Sequence, residues 1–164
     1  MLRLGCGHYS PNCLPTFSFT TQFWASRTLR AAALTIAIHY EALAGLSRLA
    51  PRLNMRARRR MILIVFAIAL AHGVEVWLFA GGLYLASEVL ELGRLEGTFT
   101  GSVRDYVYFS VVSYTSLGYG DIRPTAFVRI IAGFEAVIGL LMMAWSAAFT
   151  LHAMQKYWGD QGDR

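Results

Sequence analysis

Two long apolar runs constrain this chain more than any other feature. Met61 to Ser87 is 27 residues interrupted only by His72 and Glu75, and Ala126 to His152 carries only Arg129 and Glu135 as charges before its end. At a rise of ~1.5 Å per residue, about twenty apolar residues cross the hydrocarbon of a bilayer. Both runs therefore read as transmembrane helices, and a composition that is 55% hydrophobic excludes an ordinary soluble domain. A third segment, Thr28 to Ala50, is amphipathic: Arg30, Glu41 and Arg48 fall within about 20° of one another on a helical wheel, with His39 opposite. It reads either as an interfacial helix lying on the membrane or as a further span. The span is favoured, because the charges sit mostly near its ends and a polar stripe can pack on a neighbour.

Charge gives the orientation. The net charge is +5, yet six arginines (Arg48, Arg52, Arg56, Arg58, Arg59 and Arg60) crowd into thirteen residues between apolar segments. That is a positive-inside topology signal rather than a nucleic-acid footprint, and contact with acidic lipid headgroups would follow from its place beside the bilayer. The loop is expected to be cytoplasmic, which puts residues 88–125, where acidic and basic residues nearly balance, on the outer side. Cys6, His8 and Cys13 lie in a Ser-, Thr-, Pro- and Gly-rich tail and do not complete a tetrahedral metal set.

Within the outer linker, Ser102 followed three residues later by Asp105 reads as a capping box opening a helix that runs to about Tyr114. At roughly 20 Å such a helix is too short to cross a membrane and suits a re-entrant half-helix buried in protein. It leads into Thr115-Ser116-Leu117-Gly118-Tyr119-Gly120-Asp121. Gly-Tyr-Gly-Asp alone could be a surface turn. After a re-entrant helix, behind two hydroxyl residues and between two spans, it resembles the selectivity filter of two-transmembrane pore-loop potassium channels, a likeness covering about residues 61–155.

The resemblance implies a tetramer of outer helix, re-entrant pore helix with filter, and inner helix, here with an extra N-terminal helix, in the plasma or inner membrane. One filter strand cannot surround an ion and the chain has no internal repeat, so a homotetramer embedded in lipid is expected. Thr115, Ser116, Leu117, Gly118, Tyr119 and Gly120 would coordinate K+, the one metal expected and a permeating ion rather than a cofactor. Consecutive carbonyls face one axis only if the backbone alternates in hand, and Gly118 and Gly120 supply positions where positive φ is cheap. Asp121 would concentrate cations at the outer mouth. Tyr108 is the candidate donor to it, with Phe109 beside it where such channels often carry tryptophan. Gly139 is a candidate hinge in the inner helix, with close packing the plainer reading. Ser116-Leu117 replaces the familiar Thr-Val pair, which keeps a weakly selective monovalent cation channel open as the alternative.

The expected organisation is a disordered tail over 1–27, an additional helix over 28–50, a basic loop over 51–60, a pore domain over 61–155 and a short tail over 156–164. The pore domain divides into outer helix 61–87, pore helix 102–114, filter 115–121 and inner helix 126–153. Twelve residues follow His152, so no regulatory domain is expected there, and no arginine-every-third-residue voltage sensor is seen. His72 and Glu75 share a helical face near mid-membrane, and Glu135 is a third ionisable group in hydrocarbon. They are expected either to join a polar network reaching the first helix through His39 or Glu41, or to sense protons. Bis-histidine haem ligation by His39, His72 and His152 would leave the glycine motif unexplained. No nucleophile, base and acid are spaced as in an enzyme, and a non-conducting regulatory subunit is the remaining reading.

Overall fold

Arg56 holds the extended conformation that starts the second helix, and the arginines after it give way at Met61 to an unbroken apolar surface. The computed structural model describes residues 20–159. Helix α1 runs Thr20–Leu49, α2 Ala57–Tyr84, α3 Val103–Tyr114 and α4 Val128–Gly159. The first helix thus begins at Thr20, where the sequence reading has tail; residues 1–19, with Cys6 and Cys13, lie outside the described residues. A π-helical turn, Leu85–Val89, extends α2, with Leu90 N–H donating to the Leu85 carbonyl at 3.0 Å.

Among the described residues, two helical stretches are long and apolar enough to cross a membrane: Ala57–Val89 with mean hydropathy 2.2, and Val128–Tyr157 with 1.8. Only 33% of each apolar window is buried within the chain, whereas the core helix of a soluble protein would be mostly covered. Leu70, Phe66 and Trp77 of α2 stand 60–72% exposed, as hydrocarbon or a neighbouring subunit would require.

A turn at Ala50–Arg52, with Pro51 at its start, reverses the chain so that α1 returns antiparallel along α2. Leu43 and Ala50 pack with Met61, Ile64 and Ile68 of α2 and with Ala153 of α4. Arg30, Glu41 and Arg48 are exposed while His39 is fully buried, so the wheel of the first segment turns its histidine face inward. At the foot of this layer the Arg60 guanidinium lies 4.7 Å from the Tyr157 ring and donates to the Leu53 carbonyl at 2.7 Å, tying the basic loop to the end of α4.

Helix α3 lies between α2 and α4. Its buried Tyr106 and Phe109 join Ala80, Leu83, Leu95, Ile122, Val128 and Ala132 in one cluster, and Tyr114 joins Val76, Phe79, Ile138 and Met142 in a second. Ser102 caps the helix: its side chain accepts from Asp105 N–H, and the Asp105 carboxylate accepts from Ser102 N–H. The Thr100 hydroxyl and backbone N–H also donate to Asp105, holding its carboxyl below the ordinary aspartate range.

The outer linker departs from the all-α expectation. Strands β1, Leu95–Gly97, and β2, Ile122–Pro124, pair antiparallel in the register Leu95 with Pro124, Glu96 with Arg123 and Gly97 with Ile122. Three-residue strands carry no hydrophobic alternation long enough to read from sequence. Their effect is to clamp the chain on both sides of α3.

Candidate functional site

The segment after α3 is held by the helix it leaves. Ser116 N–H donates to the Ser113 carbonyl at 2.9 Å, and Leu117 N–H to the Val112 carbonyl at 3.0 Å. The Thr115 hydroxyl turns back to the Val111 carbonyl at 2.7 Å. From there the backbone alternates in hand: φ is +56° at Ser116, +60° at Gly118 and +80° at Gly120. Every second residue is thus left-handed. Two of the three are glycines, for which this costs little; Ser116 was not foreseen, and a non-glycine residue held there stores roughly 1–3 kcal/mol.

Residues 115–121 are all exposed within the single chain, Leu117 at 55% and Tyr119 at 66%. Tyr119 stacks on Tyr108 with ring centroids 6.4 Å apart and planes 4° from parallel. The Tyr108 hydroxyl donates to Asp121 Oδ2 at 2.9 Å. Partial desolvation and the adjacent Asp121 carboxylate both hold the exposed Tyr108 phenol protonated above the usual tyrosine range. Phe109, the other aromatic singled out beside the motif, is buried in the α3 cluster.

The exit of the segment is pinned from the hairpin. Thr98 N–H donates to the Asp121 carbonyl at 3.1 Å, and Arg123 Nε donates to the Gly120 carbonyl at 3.2 Å. Gly97, with φ +107°, passes so close that a Cβ there would run into the Asp121 carbonyl oxygen. Gly139 of α4 makes the matching approach at the entry, where a Cβ would run into the carbonyl oxygen of Tyr114. Gly97 escaped the sequence reading because its signal, an isolated glycine before Thr98, is indistinguishable from an ordinary loop glycine.

Behind the segment the structure brings four helices to one polar cluster. His39 Nδ1 lies 2.7 Å from Glu75 Oε1, and His72 Nδ1 lies 2.9 Å from the Tyr114 hydroxyl and 3.3 Å from Glu75 Oε2. Tyr114 donates to Glu75 Oε2 in a short hydrogen bond. Ser146 Oγ sits 3.1 Å from His39 Nε2 and 3.0 Å from His72 Nε2. Glu135 lies apart from this group: its Oε1 is 2.5 Å from the Ser110 hydroxyl oxygen, which in turn lies 2.9 Å from the Val76 carbonyl oxygen. The ligand atoms of His39, His72 and Glu75 lie within 4.8 Å of one another, but hydrogen bonds to each other, Tyr114 and Ser146 occupy them all, so no metal is needed to explain the cluster. The His39 and His72 ring centroids are 5.1 Å apart with both Nε2 atoms on Ser146, which leaves no room for a haem between these two imidazoles. Ser146 and Tyr114 were missed because one serine and one tyrosine on apolar helices look unexceptional.

Residues 61–156 match the family model described as "Ion channel". The chain belongs to this ion-channel family. The match takes in α2, α3, the glycine segment and α4, and leaves α1 outside it. The ion-channel segment is similar to the potassium voltage-gated channel protein shk-1 of Caenorhabditis elegans, at 36% identity over 50% of this chain and 14% of that protein. It is also similar to potassium voltage-gated channel subfamily A member 5 of rabbit (Oryctolagus cuniculus) and human, each at 32% identity over 61% of this chain and 15% of theirs. The chain thus matches about one seventh of the length of these relatives. No solved structure matches. Family and apolar helices together make this a membrane protein.

Proposed function

We propose that this chain is one subunit of a homotetrameric, potassium-selective channel passing K+ passively across the plasma or inner membrane. The observation that carries the reading is the alternation of hand at Ser116, Gly118 and Gly120 in a segment wholly exposed within one chain. Alternating dihedrals turn successive carbonyls to the same side, and four such strands about an axis would replace the hydration shell of a dehydrated cation. In this role Thr115 to Gly120 line the ion path, with Asp121 at the mouth drawing cations in and Tyr108 and Phe109 supporting it. Similarity to potassium channels supports K+ as the ion.

Reversal potentials of the purified protein in liposomes under opposed K+ and Na+ gradients test the reading. A reversal near the K+ equilibrium potential is expected. Equal permeability would favour the weakly selective monovalent channel, and absence of flux from a well-inserted tetramer would make the chain a non-conducting subunit.

Topology follows from the arginines, with α1 proposed as a third span running antiparallel to α2. A cysteine at Asn54 is expected to resist an impermeant thiol reagent on intact cells, while one at Thr98 reacts. The opposite pattern would put the mouth on the cytoplasmic side and overturn the orientation.

A further inference from the structure

The cluster behind the glycine segment closes on itself. From Glu75 Oε1 the contacts run to His39 Nδ1, through that imidazole to Ser146 Oγ, on to His72 Nε2, through the second imidazole to the Tyr114 hydroxyl, and back to Glu75 Oε2. His39, Glu75, Tyr114 and Ser146 are buried, and His72 is 20% exposed at its side chain. The ring has five links, and each needs one proton to be a hydrogen bond rather than two opposed lone pairs.

With Glu75 ionised and both imidazoles neutral, the members bring four protons: one each from Tyr114, Ser146, His39 and His72. One link is then empty and the buried ring carries a net negative charge. A fifth proton completes all five links and makes the ring neutral, whether drawn on Glu75 or on one imidazole. A sixth would point two N–H groups at the Ser146 oxygen and strand its hydroxyl hydrogen. We propose that this ring is a binding site for one proton, shared among Glu75, His39 and His72, that ties α1 to Tyr114, the last residue of α3 and the neighbour of Thr115.

Few other ionisable groups face it. On α4, Glu135 is held at Ser110 by the same arithmetic, since a single Ser110 hydrogen cannot serve both Val76 and Glu135. On α1, Glu41 is exposed, and Trp145 of α4 covers the His39 ring with centroids 5.7 Å apart. The proposal stands apart from ion conduction, and its test reads stability, so the two can fail separately.

Stability falls with rising pH wherever the native state holds more protons than the unfolded one. Above about pH 6.5 the unfolded chain has Glu75 ionised and both histidines neutral. The native ring then holds one proton more, so stability is lost as pH rises. Between about pH 4.5 and 6.5 the unfolded histidines each take a proton, two against the ring's one, and stability is lost as pH falls. Glu75→Gln makes this specific, because its amide can donate to His39 and accept from Tyr114, closing all five links with no titrating proton.

In denaturant titrations of the full-length protein in detergent from pH 7 to 9, the wild-type folding equilibrium should fall up to tenfold per pH unit per subunit relative to Glu75→Gln. Parallel curves for the two proteins would overturn the proposal. If Glu75→Gln fails to fold, the wild type decides the matter at pH 8: the Glu75 carboxyl carbon and the His39 and His72 ring nitrogens, read by NMR, should together report one proton beyond a carboxylate and two neutral imidazoles. A count of zero would overturn it.

Discussion

Replacing Gly118 or Gly120 with alanine is expected to abolish potassium-selective flux while leaving membrane insertion intact. Both glycines hold positive φ, and among the described residues no atom beyond the adjoining residues lies within 4 Å of a Cβ added at either. The cost is therefore conformational rather than steric, roughly 1–2 kcal/mol for each subunit placed in the left-handed region. In the proposed tetramer each of the four subunits would incur it around one axis. The chain can relieve that cost by rotating the peptide, which swings a carbonyl off the ion path. An N–H would then be presented to the cation. Reversal potentials in liposomes, with membrane insertion checked by alkaline extraction, measure the outcome. Either variant retaining wild-type preference for K+ over Na+ would remove the coordinating role from this segment.

Ser116 shares the left-handed conformation of the two glycines. It adopts φ +56° without being a glycine, so that position is held by its surroundings: the Ser116 N–H on the Ser113 carbonyl and the next residue's N–H on Val112. Strain of this kind persists only where neighbouring structure over-determines it. The end of α3 supplies that structure, and α3 is in turn set by Tyr114 in the polar ring and by Ser110 on the Val76 carbonyl. In hydrocarbon no hydrophobic force draws helices together, so their association rests on van der Waals packing and interhelical hydrogen bonds. Interhelical hydrogen bonds, commonly about 0.6–2 kcal/mol each, therefore share the positioning of α3 with close packing.

What could be read from the residues was whatever has local periodicity or local chemistry. The α2 and α4 runs, the Ser102 and Asp105 cap, and the inward face of α1 carrying His39 all declare themselves within one or two helical turns. The glycine segment was legible because its spacing of two matches a backbone that alternates in hand. Features resting on long-range closure were not. The Leu95–Gly97 strand has no partner until Ile122–Pro124 returns beside it, and Gly97 acquires its constraint only from Asp121. Ser146 becomes part of a ring only because α4 brings it between two histidines from different helices. The expected link from His72 and Glu75 to the first helix left His39 and Glu41 as alternatives; burial decides between them, since the charged stripe of α1 stays outside.

Gly139→Ala is expected to prevent assembly of a stable tetramer, and the form of the failure separates two roles for this glycine. A methyl group at position 139 meets the Tyr114 carbonyl oxygen and crowds the Tyr114 ring, in backbone and side chain already fixed by the end of α3. Forcing an extra methyl group into such a contact typically costs about 1–3 kcal/mol, which in the proposed tetramer would be repeated in every subunit and transmitted to Thr115 next along the chain. Gly133→Ala in the same helix is the matched control, because among the described residues nothing outside its own helical turn lies within 4 Å of an added Cβ there. Both substitutions favour helix by up to about 1 kcal/mol, so the difference between them reads the contact alone. If Gly139 serves chiefly as a hinge, the alanine variant should assemble normally, hold its tetramer at the wild-type temperature, and differ only in open probability. If it serves as the point where α4 approaches α3, tetramer on size-exclusion chromatography should be lost or melt well below the Gly133→Ala control. A Gly139→Ala protein as stable as that control would show that the approach of α4 to Tyr114 is slack enough to accept a side chain.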